Sequence, residues 1–262
     1  KILILYDLFS THTNTVFDHL DAFRKYSKYK YYYLHGAQVN PSIDLNQFDT
    51  LIIHYSVRVA FNLIAKKFYK KIKDCKCNKI LFVQDEYDNT NVVINTIKDL
   101  NIGTVYTCVP KKNIFKVYPK ELKKTTKFIE TLTGYSADIK ELQPIKSNPI
   151  EERKIIVGYR GNDLPFYYGD LGQEKKNIAK KMKNECIKRS LKYDIEYERS
   201  KRIYGKKWLS FLKSCKATLG TESGSNLFDF DNKIKNTFLK FEEAFPNKEY
   251  ESVRLSVLGR KK

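Results

Sequence analysis

Apolar and polar positions along this chain follow two alternating rhythms. Ile2–Tyr6 is a short apolar run with turn chemistry after it, which predicts a buried strand. Ser10, Thr11 and Thr13 offer N-caps, and Val16, Phe17, Leu20 and Phe23 then recur at helical spacing. Residues 31–34 and 51–54 predict strands. Residues 59–72 predict one basic amphipathic helix, with Phe61, Ile64, Phe68 and Ile72 on one face and Lys66, Lys67, Lys70 and Lys71 elsewhere. A strand at 79–83, a helix at 92–100, a strand at 103–109 and a sixth strand at 127–132 complete this half.

The stretch from 134 to 152 breaks the rhythm. It holds Gly134, Pro144, Ser147, Asn148 and Pro149 and reads as a linker. The alternation then restarts: a strand at 153–158, a Lys-rich helix at 174–190, a strand at 193–197, a helix at 206–213 carrying the only Trp, and a strand at 217–219. A last amphipathic helix at 233–245 places Ile234, Phe238 and Phe241 on one face. The charged tail after Pro246 is expected to fray. Strands alternating with helices place the chain in the α/β class, with parallel sheets covered on both faces. The expected organisation is a Rossmann-like N-terminal domain at 1–145 and a second Rossmann-like domain at 146–262. The second shows only three strands and reads as incomplete. Phe238, Phe241 and Leu255 are expected to find little to pack on. Self-association through this unit, or a disordered region after about Asp231, is the expected consequence.

Composition narrows the class. Hydrophobic residues make up 42% of the 262 positions, with 19 Tyr and 16 Phe, which excludes a disordered chain. No apolar run approaches the roughly 18 residues of a membrane span. The opening KILILYDLF is too short and too quickly polar for a signal peptide. Lys and Arg number 49 against 30 Asp and Glu, a net charge of +19. Residues 1–50 are balanced, and the surplus lies in the rest of the chain. An anionic partner follows: a nucleotide, a phospholipid-linked substrate, an anionic membrane surface or nucleic acid. Lysines on solvated helix faces are the alternative source of the charge. No helix-turn-helix, RRM or zinc signature supports specific nucleic-acid binding. Five Cys stand at 75, 77, 108, 186 and 215. The C-x-C pair has no His beside it, so no zinc site is expected. Free thiols imply a reducing cytoplasm.

The candidate chemistry lies at strand ends. There is no G-x-G-x-x-G after the first strand, and no P-loop, G-x-S-x-G or H-E-x-x-H. His12 and His54 fall where strands one and three end, the edge at which open α/β sheets bind ligands. His19 lies inside a helix pattern and reads as structural, while His35 sits in a loop before Gly36 and is uninformative. Asp85 and Glu86 follow strand four, placed to hold a hydroxylated ligand or act as a general base. Asp88 is the expected cap of the next helix. Asp229 and Asp231 match a D-x-D metal clamp only weakly, and Asp231 reads as a cap for the helix at 233. In the second half, Arg160 and Gly161 follow a strand, Lys175 opens the long helix, and Glu222, Ser223 and Gly224 lie in a Gly-rich loop. Glycines let backbone amides approach a phosphate, and Arg and Lys neutralise it. Together they describe a nucleotide-diphosphate pocket in which Glu222 accepts from ribose hydroxyls.

Seven stretches, in order across about 230 residues, carry a resemblance: FDTLIIHYS (48–56), ILFVQDEYD (80–88), VYTCVPKKNIFKVYP (105–119), TLTGY (131–135), GYRG (158–161), YYGDLGQEK (167–175) and LGTESGSNLFDFD (219–231). The chain resembles bacterial glycosyltransferases of the two-Rossmann (GT-B) type, in the family-1-like group. The resemblance implies an N-terminal domain that holds the acceptor and a C-terminal domain that holds a UDP- or GDP-sugar. The family requires no metal. It implies further that Arg160 and Lys175 neutralise the donor diphosphate. Gly161 and the loop Glu222-Ser223-Gly224 would line the donor side, and His12, Asp85 and Glu86 would face a glycan or lipid-linked acceptor. A retaining mechanism needs no protein nucleophile. The chain departs from the family after Asp231, where the helix Glu that grips the donor ribose does not follow. Sugar transfer by this chain alone is therefore expected to be undetectable. Two other readings stay open: a non-catalytic binding module derived from such an enzyme, and a basic binder of membrane surfaces or nucleic acid. The expected location is the cytoplasm, or the inner face of the membrane as a peripheral protein.

Overall fold

The structure, a computed structural model, describes residues 1–9, 15–36, 41–132, 148–222 and 224–259. It divides into two compact units. The first holds β1 (Ile2–Tyr6), α1 (Thr15–Lys25), β2 (Tyr31–His35), β3 (Thr50–Ile53), α2 (Lys66–Asp74), β4 (Asn78–Phe82), α3 (Thr90–Asp99), β5 (Thr104–Thr107), α4 (Ile114–Val117) and β6 (Lys127–Glu130). These strands form one parallel six-stranded sheet in the order β2-β1-β3-β4-β5-β6. Side chains alternate across a strand, so one strand feeds two cores. Leu3 and Leu5 join Leu51, Ile53, Leu81 and Phe68 on one face. Ile4 and Ile52 join Val16 and Leu20 of α1 on the other. Both faces are covered, as a parallel sheet requires.

The helix expected over 59–72 is two elements. Val59–Phe61 is a single 3-10 turn, Asn62 closes it in the left-handed region at φ 53°, and α2 begins only at Lys66. Asn tolerates that conformation better than most side chains, and a helix cannot run through it. Phe68 and Ile72 of α2 are fully buried, so the apolar face of this basic helix belongs to the core. The position before α3 is held by Asn89 at φ 50°, not by Asp88 as expected. Phe228–Asn232 also belong to the first unit. Asp229 N–H donates to Tyr87 O, and the amides of Thr90 and Asn91 donate to Asp229 O and Phe230 O. Those bonds tie the segment to the loop between β4 and α3.

The second unit holds β7 (Ile155–Arg160), α5 (Gly169–Lys188), β8 (Tyr193–Glu196), α6 (Gly205–Ser214), β9 (Cys215–Thr218), α7 (Lys233–Ala244) and α8 (Tyr250–Leu258). Among the described residues its sheet has three parallel strands, β8-β7-β9. Val157, Tyr159, Ala179, Cys186 and Ile195 form the core on one face. On the other, Gly158 admits α6: a Cβ there would stand 2.3 Å from Cys215 Sγ and 2.8 Å from the Phe211 ring. The expected disorder after Asp231 and the frayed tail are corrected by α7 and α8, which pack on each other. Phe238 and Val253 are fully buried, so Phe238 does find partners within the chain. Leu255 stays exposed. The tail orders because Tyr250 and Arg254 of α8 anchor it to Asp170 at the start of α5. Tyr250 Oη donates to Asp170 Oδ1 at 2.9 Å, and Arg254 stands 3.8 Å from the same oxygen. No helix among the described residues is long and apolar enough to cross a membrane.

Candidate functional site

In the first sheet the chain passes from β1 outward to β2, then returns across β1 to β3. The carboxyl ends of β1 and β3 therefore flank the topological switch point, where open α/β sheets take their ligands. A chain of buried polar groups occupies that point. Asp7 directly follows β1, and its N–H donates to Ser56 Oγ at 3.0 Å. His54 directly follows β3 and caps the short turn Tyr55–Val57. The Ser56 N–H donates to His54 Nδ1 at 3.2 Å, which makes Nδ1 the acceptor nitrogen. Ser56 Oγ, 2.9 Å from the same nitrogen, also donates to it. The His54 proton is thereby assigned to Nε2, which donates to His19 Nδ1 at 2.9 Å. His19 retains its own proton on Nε2 and is ringed by Phe23, Tyr55 and Phe82.

Electrostatics keeps both imidazoles neutral. Burial, with His19 as a second contributor, holds the His54 pKa down at about 3. Burial lowers His19 as well. The result is a directed line of donors, from Asp7 N–H through Ser56 and His54 to His19. Asp7, itself buried, accepts from Phe9 N–H at 3.2 Å and lies 3.9 Å from His35 Nδ1. The outer end of the line is the His19 Nε2–H, which can donate a hydrogen bond to a ligand oxygen.

The residues singled out from sequence are distributed unevenly. His12 lies outside the described residues. Asp85 is exposed, in the left-handed region at φ 62°, and accepts from Tyr87 Oη at 2.8 Å. It shares with His54, Tyr55 and Arg58 the lining of a hollow of about 10 Å³, room for about one water. Glu86 corrects the expectation that it and Asp85 face a ligand together. It turns inward, is buried, and spends its carboxylate on Thr107 Oγ1 and on the Cys108 N–H at 3.1 Å. Burial raises its pKa, against those hydrogen bonds, which lower it. The Tyr118 hydroxyl, which raises no local sequence signal, is buried without a hydrogen-bond partner among the described residues.

In the second unit Arg160 is engaged. Its Nη2 donates to Asp194 Oδ2 at 2.7 Å, its Nη1 to the carbonyls of Tyr159 and Asp194, and its guanidinium lies 4.3 Å over the Phe211 ring. Gly161 donates its N–H to Glu196 O at 2.8 Å, and a Cβ there would enter the Tyr159 ring. Lys175 lies in the second turn of α5, half-buried, and Glu222 is exposed. Ser223 lies outside the described residues. Gly224 stands at φ 110°, a conformation only glycine adopts readily. Beyond it the loop docks on the start of α5: Ser225 Oγ donates to Tyr168 O, and Asn226 Oδ1 accepts the Leu171 N–H at 3.2 Å. The structure thus brings the Gly224 loop to the helix that carries Lys175.

Asp7, His19 and Ser56 are the functional candidates that sequence reasoning missed. His19 stands at i+3 from Val16 and i+4 before Phe23, on the buried face of α1. That spacing was the available signal. Among the described residues no three His, Cys, Asp or Glu side chains gather into a metal site. Comparison with protein-family models, curated proteins and solved structures found no match for this chain.

Proposed function

We propose that the chain is a sugar-transferring protein that takes a UDP- or GDP-sugar and a glycan or lipid-linked acceptor, working in the cytoplasm or at the inner membrane face. The observation that carries this reading is the polar line from Asp7 to His19 at the switch point of a parallel sheet. A second parallel α/β unit in the same chain supports it. A hydroxyl acceptor held at that edge would donate its proton to Asp85 and accept a hydrogen bond from the His19 Nε2–H. In the second unit, the Gly224 loop and Lys175 would meet a diphosphate, whose charge in the departing group they would stabilise. Gly161 and Glu222 stay with the donor side of this reading, as do His12 and Ser223 with their assigned sides. Fold alone does not imply function, so the site and its test decide.

The engaged state of Arg160 favours a second reading, a nucleotide-binding module without turnover. A guanidinium held by Asp194 is not available to a diphosphate without breaking that ion pair. Both readings are tested by titrating UDP and GDP and following the thermal midpoint. A ligand that binds only the folded state raises it by mass action. Lys175→Ala is expected to remove most of the rise. Arg160→Ala is expected to lower the midpoint itself while leaving most of the rise in place. Detection of transfer then establishes the enzyme and overturns the expectation that this chain alone transfers no sugar. No rise with either nucleotide at roughly a hundredfold excess over a millimolar-class Kd refutes the donor site.

A further inference from the structure

Residues 199–221 carry seven Lys and Arg and no Asp or Glu, and they contain α6 with the only Trp of the chain. Helical spacing decides which of these residues share a face. Phe211 turns inward and is buried, and Trp208 is stacked on it with ring centres 5.7 Å apart. Leu209 faces solvent at 43% exposure. Lys206 and Lys213 stand at i−3 and i+4 from it, so they flank it on the same face. Just before the helix, Tyr204 is 48% exposed. An apolar side chain set among cations, on a helix whose other face is anchored in a folded unit, matches the requirements of an interfacial helix: apolar area to insert and positive charge to meet lipid phosphates.

The contrast with α2 sharpens the point. That helix is richer in Lys, five against three, but Phe68 and Ile72 are spent in the core, and its outward positions at 66, 67, 70 and 71 are all Lys. It has charge and no apolar anchor, whereas α6 has both. Single-stranded nucleic acid is the other polyanion to weigh. It is gripped by several aromatic faces open for stacking, whereas one face of Trp208 is taken by Phe211 and Tyr204 is the exposed aromatic ring beside α6.

We propose that the exposed face of α6, with Leu209 at its centre and Lys206 and Lys213 flanking it, docks on an anionic lipid surface. The inference does not need the sugar-transfer reading, and its assay contains no nucleotide.

Trp208 is a built-in reporter. The full chain is titrated with phosphatidylcholine vesicles containing about 30% phosphatidylglycerol, and with pure phosphatidylcholine, at near-physiological salt. The expected result is sedimentation with the anionic vesicles only, with a change in Trp208 emission and quenching by brominated lipid. At about 1 kcal/mol per basic residue near the surface, Lys206→Gln with Lys213→Gln weakens partitioning about 30-fold. Leu209→Ser weakens it further at constant charge. Lys66→Gln with Lys67→Gln removes the same charge from α2 and leaves partitioning within about threefold. Lys213 is half-buried and the other positions are exposed, and circular dichroism checks that each variant keeps the fold. No sedimentation with anionic vesicles overturns the proposal. So does binding without a Trp208 response, or an equal loss in the α2 variant, because either places the contact elsewhere. Tighter binding of a single-stranded oligonucleotide than of vesicles at the same salt assigns the face to nucleic acid and overturns it too.

Discussion

Acidification tests the polar line at the switch point most directly. His54 has an ordinary pKa of 6.5 when unfolded and one of about 3 in the folded chain, because burial disfavours its cation. Between those values the unfolded chain takes up a proton that the folded chain refuses. A depressed histidine pKa therefore makes stability fall as pH falls below 6.5. Each unit of pH in that window costs about 1.36 kcal/mol, so about 2 kcal/mol is lost on going from pH 7 to pH 5. His19, lowered by burial, acts in the same direction. Glu86 opposes them: its pKa is raised, so it contributes stability at low pH that is lost as pH rises through its folded value. Comparing wild type with His54→Gln removes Glu86 from the difference, since both proteins carry it. Gln keeps a hydrogen-bonding side chain of similar reach but cannot take up a proton. The only Trp, Trp208, lies in the second unit and does not report on this site. Urea unfolding is therefore followed by hydrogen exchange on peptides covering β1 and β3. The wild type is expected to lose about 2 kcal/mol more than the variant over that range. Parallel pH profiles for the two proteins would refute a buried neutral His54. Should His54→Gln fail to fold, His19→Gln offers the same comparison, with a smaller effect at the outer, less buried ring.

The buried carboxylate and the corrected tail each carry a further expectation. Glu86→Gln keeps an acceptor for Thr107 and for the Cys108 N–H and is expected to change stability by less than about 1 kcal/mol. Glu86→Ala strands both donors and costs about 1–3 kcal/mol in urea melts; equal effects of the two variants would refute the hydrogen-bonding role. Phe238→Ala empties a fully buried position on α7 and is expected to cost about 3–5 kcal/mol, read in the second unit by Trp208 fluorescence. A loss below about 0.5 kcal/mol would mean that α7 does not pack as described.

Period alone made most elements legible. A run such as ILILY has one stable solution in a two-sided sheet, and Val16, Leu20 and Phe23 have one in a helix. Strand–helix alternation then led to parallel sheets, because a parallel crossover needs a helix to span it. The same local reading failed at residues 59–72, where the apolar spacing was right but Asn62 took a left-handed conformation. It failed again after Pro246, where charge suggested fraying. The contacts that order α8, from Tyr250 and Arg254 to Asp170, reach back some 80 residues and leave no periodic trace.

The site divides along the same line. Position at a strand's carboxyl end was readable for His54, Asp85, Glu86 and Arg160, since it depends only on where the strand stops. Direction was not. Asp85 and Glu86 are neighbours in sequence, yet one meets solvent and the other the Thr107 hydroxyl and the Cys108 N–H, because the loop after β4 turns between them at a positive φ. The strand expected to stop at 158 runs on to Arg160, and Asp194 on the adjacent strand claims its charge. The line from Asp7 through Ser56 and His54 to His19 joins three segments spaced along the first 56 residues. Local sequence sets the strands and helices that carry them. Only the packing of α1 against β3, which closes the sheet's face over both imidazoles, decides that they meet and remain uncharged.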